Sequence, residues 1–191
     1  GHIVALEHRY YGESHPFTSL ETENLRYLNT ENAIGDLVRF QAYARERFGW
    51  TGKWIAVGGS YPGSLSAYLR SQHPDVVAGS LASSAPVKAK NFFDEYDAHT
   101  ALVLGPQCSA RLREVSEAAE RAMDAGGGAA FKAQFASAAV LDDRDFLYVL
   151  ADAAAFAVQY GQPGPLCSAL QQGQGDLVGA YASYVRDLFS R

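Results

Sequence analysis

The sequence is poor in methionine, cysteine and histidine, and it has no long apolar run. Met123 is the only methionine in 191 residues, and the chain opens on Gly1-His2-Ile3-Val4. These first residues already read as a strand-like run. The expectation is therefore a fragment whose natural amino terminus, with any targeting segment, lies upstream. No apolar stretch approaches the roughly 20 residues of a membrane-spanning helix, so no membrane partner is expected. Positive charge is not in excess: 16 Lys and Arg stand against 21 Asp and Glu, a net charge of −5. That balance argues against nucleic acid and against an anionic membrane surface. The two cysteines, Cys108 and Cys167, have no zinc spacing and no histidine cluster beside them, so neither a metal nor a cofactor is expected. They are either two buried thiols or one bridge. A bridge closing so long a loop is worth roughly 4 kcal/mol in the chain-entropy model, and it implies an oxidising compartment.

What is present is a substantial apolar fraction, 48% of residues, enough for one ordinary domain or one domain plus part of another. The most informative stretch is Lys53-Trp54-Ile55-Ala56-Val57-Gly58-Gly59-Ser60-Tyr61-Pro62-Gly63-Ser64-Leu65. It reads as a short buried strand, two glycines, a serine and the start of a helix. That is the sequence form of a nucleophile elbow, usually written G-x-S-x-G. Small residues around the serine let strand and helix approach without a Cβ clash. The helix amino terminus would point N–H groups at developing negative charge. Gly58 stands two before Ser60, but Pro62 stands two after it, and Gly63 comes one place late. Pro62 is tolerable because the first helical turn needs no N–H there. Read locally, the stretch is either a catalytic elbow or a glycine-rich turn with an ordinary serine.

Ile3-Val4-Ala5-Leu6 reads as a strand covered on both faces. It runs into Glu7-His8-Arg9-Tyr10-Tyr11-Gly12-Glu13-Ser14, charged and aromatic residues at the strand end where open α/β sheets build sites. Glu7 and Arg9 are read as a structural pair near the site, with direct chemistry as the alternative. After a polar loop, Ile34, Leu37, Gln41, Ala44 and Phe48 follow helical spacing from about Thr30, with Thr30 or Asn32 as cap and Gly49 as stop. The strand Trp54–Val57 follows, then a helix through Leu65, Tyr68 and Leu69 that stops at His73-Pro74. Val76–Ser84 reads as another buried strand at its centre. This alternation predicts βαβ units and a parallel sheet, with three strands here and the rest of the sheet outside the chain.

Residues 88–191 change character and read as an all-helical insertion. Ser109 is a candidate cap for a helix bearing Leu112, Val115, Ala119, Ala122 and Met123, broken by Gly126-Gly127-Gly128. Phe131, Phe135 and Ala138 mark a second helix. A third runs from Phe146 to about Tyr160 behind Asp142 or Asp143. Gln162-Pro163-Gly164-Pro165 ends it, Leu166–Gln171 forms a short helix, and Leu177, Tyr181, Tyr184 and Leu188 mark the last. Aromatic residues at this spacing are read as core rather than pocket.

A nucleophilic serine needs a base and a carboxylate to hold the base's tautomer, in the order serine, acid, histidine for this class of fold. Only His73 and His99 follow Ser60. His73 ends the elbow helix and His99 lies early in the helical half, so neither reads as the base. His2, His8 and His15 precede the serine and break the order. The sequence thus supplies a nucleophile without its base or acid. It also supplies one oxyanion donor, the Tyr61 amide, with the second expected before Gly1.

Three motifs in order carry a resemblance: Glu7–Ser14, Gly58–Leu65, and Ala82-Ser83-Ser84-Ala85-Pro86-Val87. Together they resemble the serine carboxypeptidase group that holds lysosomal Pro-X carboxypeptidase, dipeptidyl peptidase II and thymus-specific serine protease. The Tyr-Pro-Gly elbow looks most like the thymus-specific branch. The resemblance covers residues 1–87 by motif and the helical half by position and character. It implies a partial α/β-hydrolase core with a nucleophile elbow over 1–87 and a helical cap domain over 88–191. It implies a serine-type exopeptidase acting near proline through an acyl-enzyme on Ser60, with Tyr61 in the oxyanion hole and Gly58, Gly59, Pro62 and Gly63 shaping the elbow. A small apolar pocket between core and cap would select proline. The resemblance implies a secreted, periplasmic or lysosomal protein and favours Cys108–Cys167 pairing. It places the acid and histidine after Arg191, so these residues alone are expected not to turn over peptide. The expected partner is a proline-containing peptide, with homodimerisation of the full-length protein left open. The rival readings are an esterase or lipase of the same fold and a catalytically dead binding protein.

Overall fold

The structure is a computed structural model that describes residues 1–135 and 141–190. It divides into two units, Gly1–Lys90 and Asn91–Arg191. The fold is mixed α/β: two parallel strands and their helices, followed by a largely helical region.

In the first unit, α1 runs Thr30–Phe48. Its amino end is capped by Asn29, whose side chain accepts from the Asn32 N–H, so neither Thr30 nor Asn32 is the cap. The reason lies in the backbone: Asn29 is extended and stands outside the first turn, whereas the two later residues are already helical. Gly49, at φ 68°, ends the helix in the left-handed region. Strand β1, Ile55–Gly59, pairs in parallel with β2, Gly79–Ser83, in the register Ile55 opposite Gly79 to Gly59 opposite Ser83. The ladder extends at both ends through Ala78 N–H to Trp54 O at 2.8 Å and Ser60 N–H to Ser83 O at 2.9 Å. Helix α2, Tyr61–Gln72, makes the crossover. Leu65 and Leu69 of α2 are buried with Ala33 and Ile34 of α1 and with Val77, and Ala56 of β1 packs against them. Burying each of the larger side chains contributes roughly 1.5–3 kcal/mol. Gln41, the polar residue on the inner face of α1, is satisfied by donating to Val76 O at 3.2 Å.

The strands depart from the sequence expectation in two ways. Ile3–Leu6 forms no ladder and Ile3 is fully exposed. A strand needs a hydrogen-bonded neighbour, and among the described residues only β1 and β2 pair. β1 is also covered on one face only, with Ile55 and Val57 alternating outwards, and β2 is exposed from Ser80 to Ser83, Leu81 included.

In the second unit, α3 spans Asp94–Asp124 and bends at Gly105, which has φ 77° and ψ 167°. Pro106 follows and removes an N–H from the helical ladder. Ser109 is therefore not a cap. It lies inside the helix and returns its hydroxyl to Gly105 O at 2.8 Å. Gly126, at φ 74°, turns the chain into α4, Gly128–Ala133. Phe135 lies just past α4, and Ala138 lies outside the described residues. Helix α5, Asp143–Gln159, is capped by Asp142 through the Arg144 N–H. Helix α6, Pro163–Gln172, takes both prolines into its first turn, where no N–H is required, instead of being preceded by them. Helix α7, Leu177–Phe189, is capped by Asp176. Val115, Phe146, Leu166, Leu170 and Tyr181 are fully buried in the shared core, and the alanines of α5 let its neighbours approach. The Tyr181 hydroxyl donates to Leu150 O at 2.6 Å, and burial raises its pKa. Cys108 of α3 and Cys167 of α6 are joined in a disulfide with a Cα–Cα distance of 5.3 Å. Among the described residues, no helix is long and apolar enough to cross a membrane.

Candidate active site

The site is built by the connection from β1 to α2. The sheet fixes the Ser60 N–H on Ser83 O, and the helix fixes Ser60 O, which accepts from the Ser64 N–H at 3.1 Å. Between these two anchors Ser60 is held at φ 57° and ψ −129°. A side chain at such angles is strained by about 1–3 kcal/mol, and the strain persists only where the surroundings over-determine it. The residue is exposed, stands at the N-cap position of α2, and makes no capping bond with its side chain. Among the described residues, no hydrogen bond engages its hydroxyl. Tyr61 is the first helical residue, so its N–H has no acceptor within the helix and sits at the positive end of the helix dipole.

The glycines divide by role. A Cβ on Gly58 would collide with the Pro62 carbonyl and the Gly63 nitrogen. A Cβ on Gly63 would stand 2.9 Å from Gly58 O, 3.0 Å from the Ala85 Cβ and 3.1 Å from Ser83 O. The glycine one place late in sequence is therefore the one that lets α2 pass close over the sheet. Gly59 faces open space, with nothing nearer than Ser83 O at 4.0 Å, so the turn does not require it sterically. Pro62 occupies the first turn of α2 without loss of a helical hydrogen bond. One turn further on, the Ser64 hydroxyl is buried and has no partner among the described residues.

The Glu7–Ser14 motif lies beside this turn, with different pairings from those expected. Arg9 is not bonded to Glu7. Its guanidinium forks onto Asp36 of α1, with Nε to Oδ2 at 2.8 Å and Nη2 to Oδ1 at 2.7 Å. It also donates to Tyr27 O and Asn32 O. The hydrogen bonds to Asp36 raise the Arg9 pKa above its ordinary value. Glu7 instead closes the following turn, accepting from the Glu13 N–H at 3.0 Å and the Ser14 hydroxyl at 2.6 Å. The Ser14 bond, with smaller help from its backbone neighbours, holds the Glu7 carboxyl below its ordinary range. The physical reason is that each group finds a better-matched partner: a planar fork meets a planar carboxylate, and a lone carboxylate meets convergent turn donors. Tyr10, at φ 70°, is buried and donates its hydroxyl to Asn24 O at 2.6 Å, pinning the segment from the other side.

His8 precedes the serine and so carries no signal as a base in the sequence. It reaches the elbow: its Nε2 lies 3.1 Å from the Tyr61 hydroxyl, and its Nδ1 lies 2.7 Å from Arg9 O. Asp36 carried no local signal, since a carboxylate on the flank of an amphipathic helix reads as a solvated charge. A cavity of about 570 Å³ lies between the segment bearing Leu6 and His8, α1 at Phe40, β1 at Ile55 and Val57, and α2 at Tyr61 and Pro62. It is largely apolar and is not lined by Ser60. His73 closes the far end of α2 from Ser60, its N–H bonded to Leu69 O. Among the described residues, no group of three or more His, Cys, Asp and Glu side chains could hold a metal ion.

A parallel pair joined through a strained serine to a crossover helix has the form of the strand-to-helix turn of α/β-hydrolases. The family described as Serine carboxypeptidase S28 matches residues 1–178, and the chain belongs to that family of serine-type peptidases with the α/β-hydrolase fold. The chain is 40% identical over 201 residues to the probable serine protease EDA2 of Arabidopsis thaliana, covering 99% of this chain and 41% of the relative. It is 36% identical to the thymus-specific serine protease of Homo sapiens, over 66% of this chain and 26% of the relative. It is 36% identical to the lysosomal Pro-X carboxypeptidase of Bos taurus, over 66% of this chain and 28% of the relative. The chain thus spans less than half the length of these relatives.

Proposed function

We propose that the whole protein is a serine-type exopeptidase that cleaves peptides near proline through an acyl-enzyme on Ser60. In this reading the Tyr61 amide is one oxyanion donor, residues 1–87 belong to the hydrolase core, and residues 88–191 form a helical cap. The observation that carries it is the backbone of Ser60, strained at φ 57° between a sheet bond and a helix bond, with its hydroxyl uncommitted among the described residues. Structural serines rarely warrant such a cost, whereas a nucleophile must stand clear of the sheet edge. The preference for proline is supported by the relative named as a Pro-X carboxypeptidase. The same name, with the disulfide, supports a lysosomal or secretory route.

Ser60 has no base within hydrogen-bonding reach among the described residues. The base and acid are accordingly assigned outside residues 1–191, and the isolated chain is expected to be inactive. The test compares the whole protein, its Ser60→Ala variant and the isolated chain on X-Pro peptides and on simple esters. Peptide hydrolysis by the whole protein alone is the expected result. Turnover that survives Ser60→Ala, turnover by the isolated chain, or activity confined to esters would contradict the reading.

A further inference from the structure

We infer that His8 is a positioning residue that holds Tyr61, and through it the oxyanion-donating amide, in register with Ser60. This rests on the reading of Ser60 as nucleophile. The contact to Arg9 O fixes the tautomer of the neutral His8 ring. Arg9 O can only accept, so His8 Nδ1 carries the hydrogen across the 2.7 Å contact. In the neutral ring Nε2 then bears a lone pair, to which the Tyr61 hydroxyl can donate across 3.1 Å. The Tyr61 and His8 rings meet edge-on with centroids 5.6 Å apart, and Tyr11 also meets His8 edge-on at 5.1 Å.

The backbone carbonyl that orients His8 is itself anchored. Arg9 is clamped to α1 by Asp36 and two main-chain oxygens. A continuous set of contacts therefore runs from α1 through Arg9 and His8 to the first residue of α2. That position matters because the peptide between Ser60 and Tyr61 follows directly on the strained ψ of −129°. The sheet bond at Ser60 N and the helix bond at Ser60 O restrain the near side of this peptide. Relaxation by peptide rotation would break the Ser64 N–H to Ser60 O bond, because the peptide is planar, and the Tyr61 ring held at its tip adds a second restraint from the far side. Such a rotation would swing the Tyr61 N–H away from the position of a developing oxyanion.

The role is positional, so it acts on the transition state more than on substrate binding. The test is a double-mutant cycle in the whole protein with His8→Ala, Tyr61→Phe and the pair. Each single change is expected to lower kcat roughly tenfold with KM within about twofold, and the pair is expected to cost no more than either alone. His8→Gln, which can place an amide oxygen near the position of Nε2, is expected to recover part of the loss. Additive effects, or a loss carried by KM, would overturn the inference. Imidazole nitrogen NMR of the wild-type protein gives a second readout that needs no destabilised variant. The neutral tautomer protonated at Nδ1 is expected at His8, and the opposite tautomer would overturn the assignment. Labelling by a fluorophosphonate separates the two levels. Failure of wild-type Ser60 to label removes the nucleophile reading and this inference with it, whereas labelling with an additive cycle removes the inference alone.

Discussion

Ser60 concentrates the cost of the site in one residue. Its positive φ and its ψ of −129° lie where glycine alone is unstrained. Ser60→Gly is therefore expected to stabilise the protein by roughly 1 kcal/mol while removing the hydroxyl, with urea midpoints as the measure. An unchanged or lower midpoint would show that the turn is not under strain. Ser64 gives a second check in the same helix. Its buried hydroxyl finds no partner among the described residues, so Ser64→Ala is expected to be neutral or to stabilise by about 1 kcal/mol. Gly63→Ala should do the opposite and destabilise by roughly 1–3 kcal/mol, because the new methyl meets backbone oxygens that cannot yield. At this scale the sequence was informative wherever the constraint was local. Glycines flanking a serine between a strand and a helix announce a close crossing. His8 and Asp36 were silent because their partners are distant in sequence, and no spacing rule connects residue 8 with 61 or 9 with 36.

The segment after residue 6 works as an element of its own, although it is neither helix nor strand. Arg9 ties it to α1 and Glu7 closes its turn. Arg9→Lys is expected to cost roughly 1–3 kcal/mol, since an ammonium cannot reproduce the fork onto Asp36 or reach both main-chain oxygens. Recovery of full stability by lysine would contradict that geometry. Glu7 makes the stability of this turn depend on pH. Its folded pKa is lowered by the Ser14 hydroxyl, so its contribution is present above the ordinary glutamate value of 4.5 and is lost as pH falls through the lower folded value. Glu7→Gln should flatten that acid limb in thermal unfolding measured across the range, and an unchanged limb would exclude Glu7 as its source. Helices were legible in sequence through their periodicity, with errors at their ends. The α1 cap was displaced to Asn29 because two later residues have equal capping chemistry. The bend in α3 passed unread because Gly105-Pro106 sits inside an otherwise helical run.

Across the molecule, the two units have separate stabilising devices. The second is stapled by Cys108–Cys167 across 59 residues, and reduction is expected to remove about 4 kcal/mol from it. Unfolding with and without reductant, followed by the helical circular dichroism signal, would measure the loss. The first unit depends on the crossover of α2 between β1 and β2. Its βαβ pattern was readable from the alternation of apolar runs and glycine breaks. The burial of the strands was not, because continuous apolar runs report that a strand can be covered and do not supply the cover. Ile55, Val57 and Leu81 show that difference. The central claim, however, concerns a single oxygen on Ser60. It is tested most directly by treating the whole protein with a fluorophosphonate and locating the adduct by mass spectrometry. One adduct on the peptide bearing Ser60, absent from Ser60→Ala, is the result the account predicts. No adduct, or an adduct that persists in the variant, would contradict it.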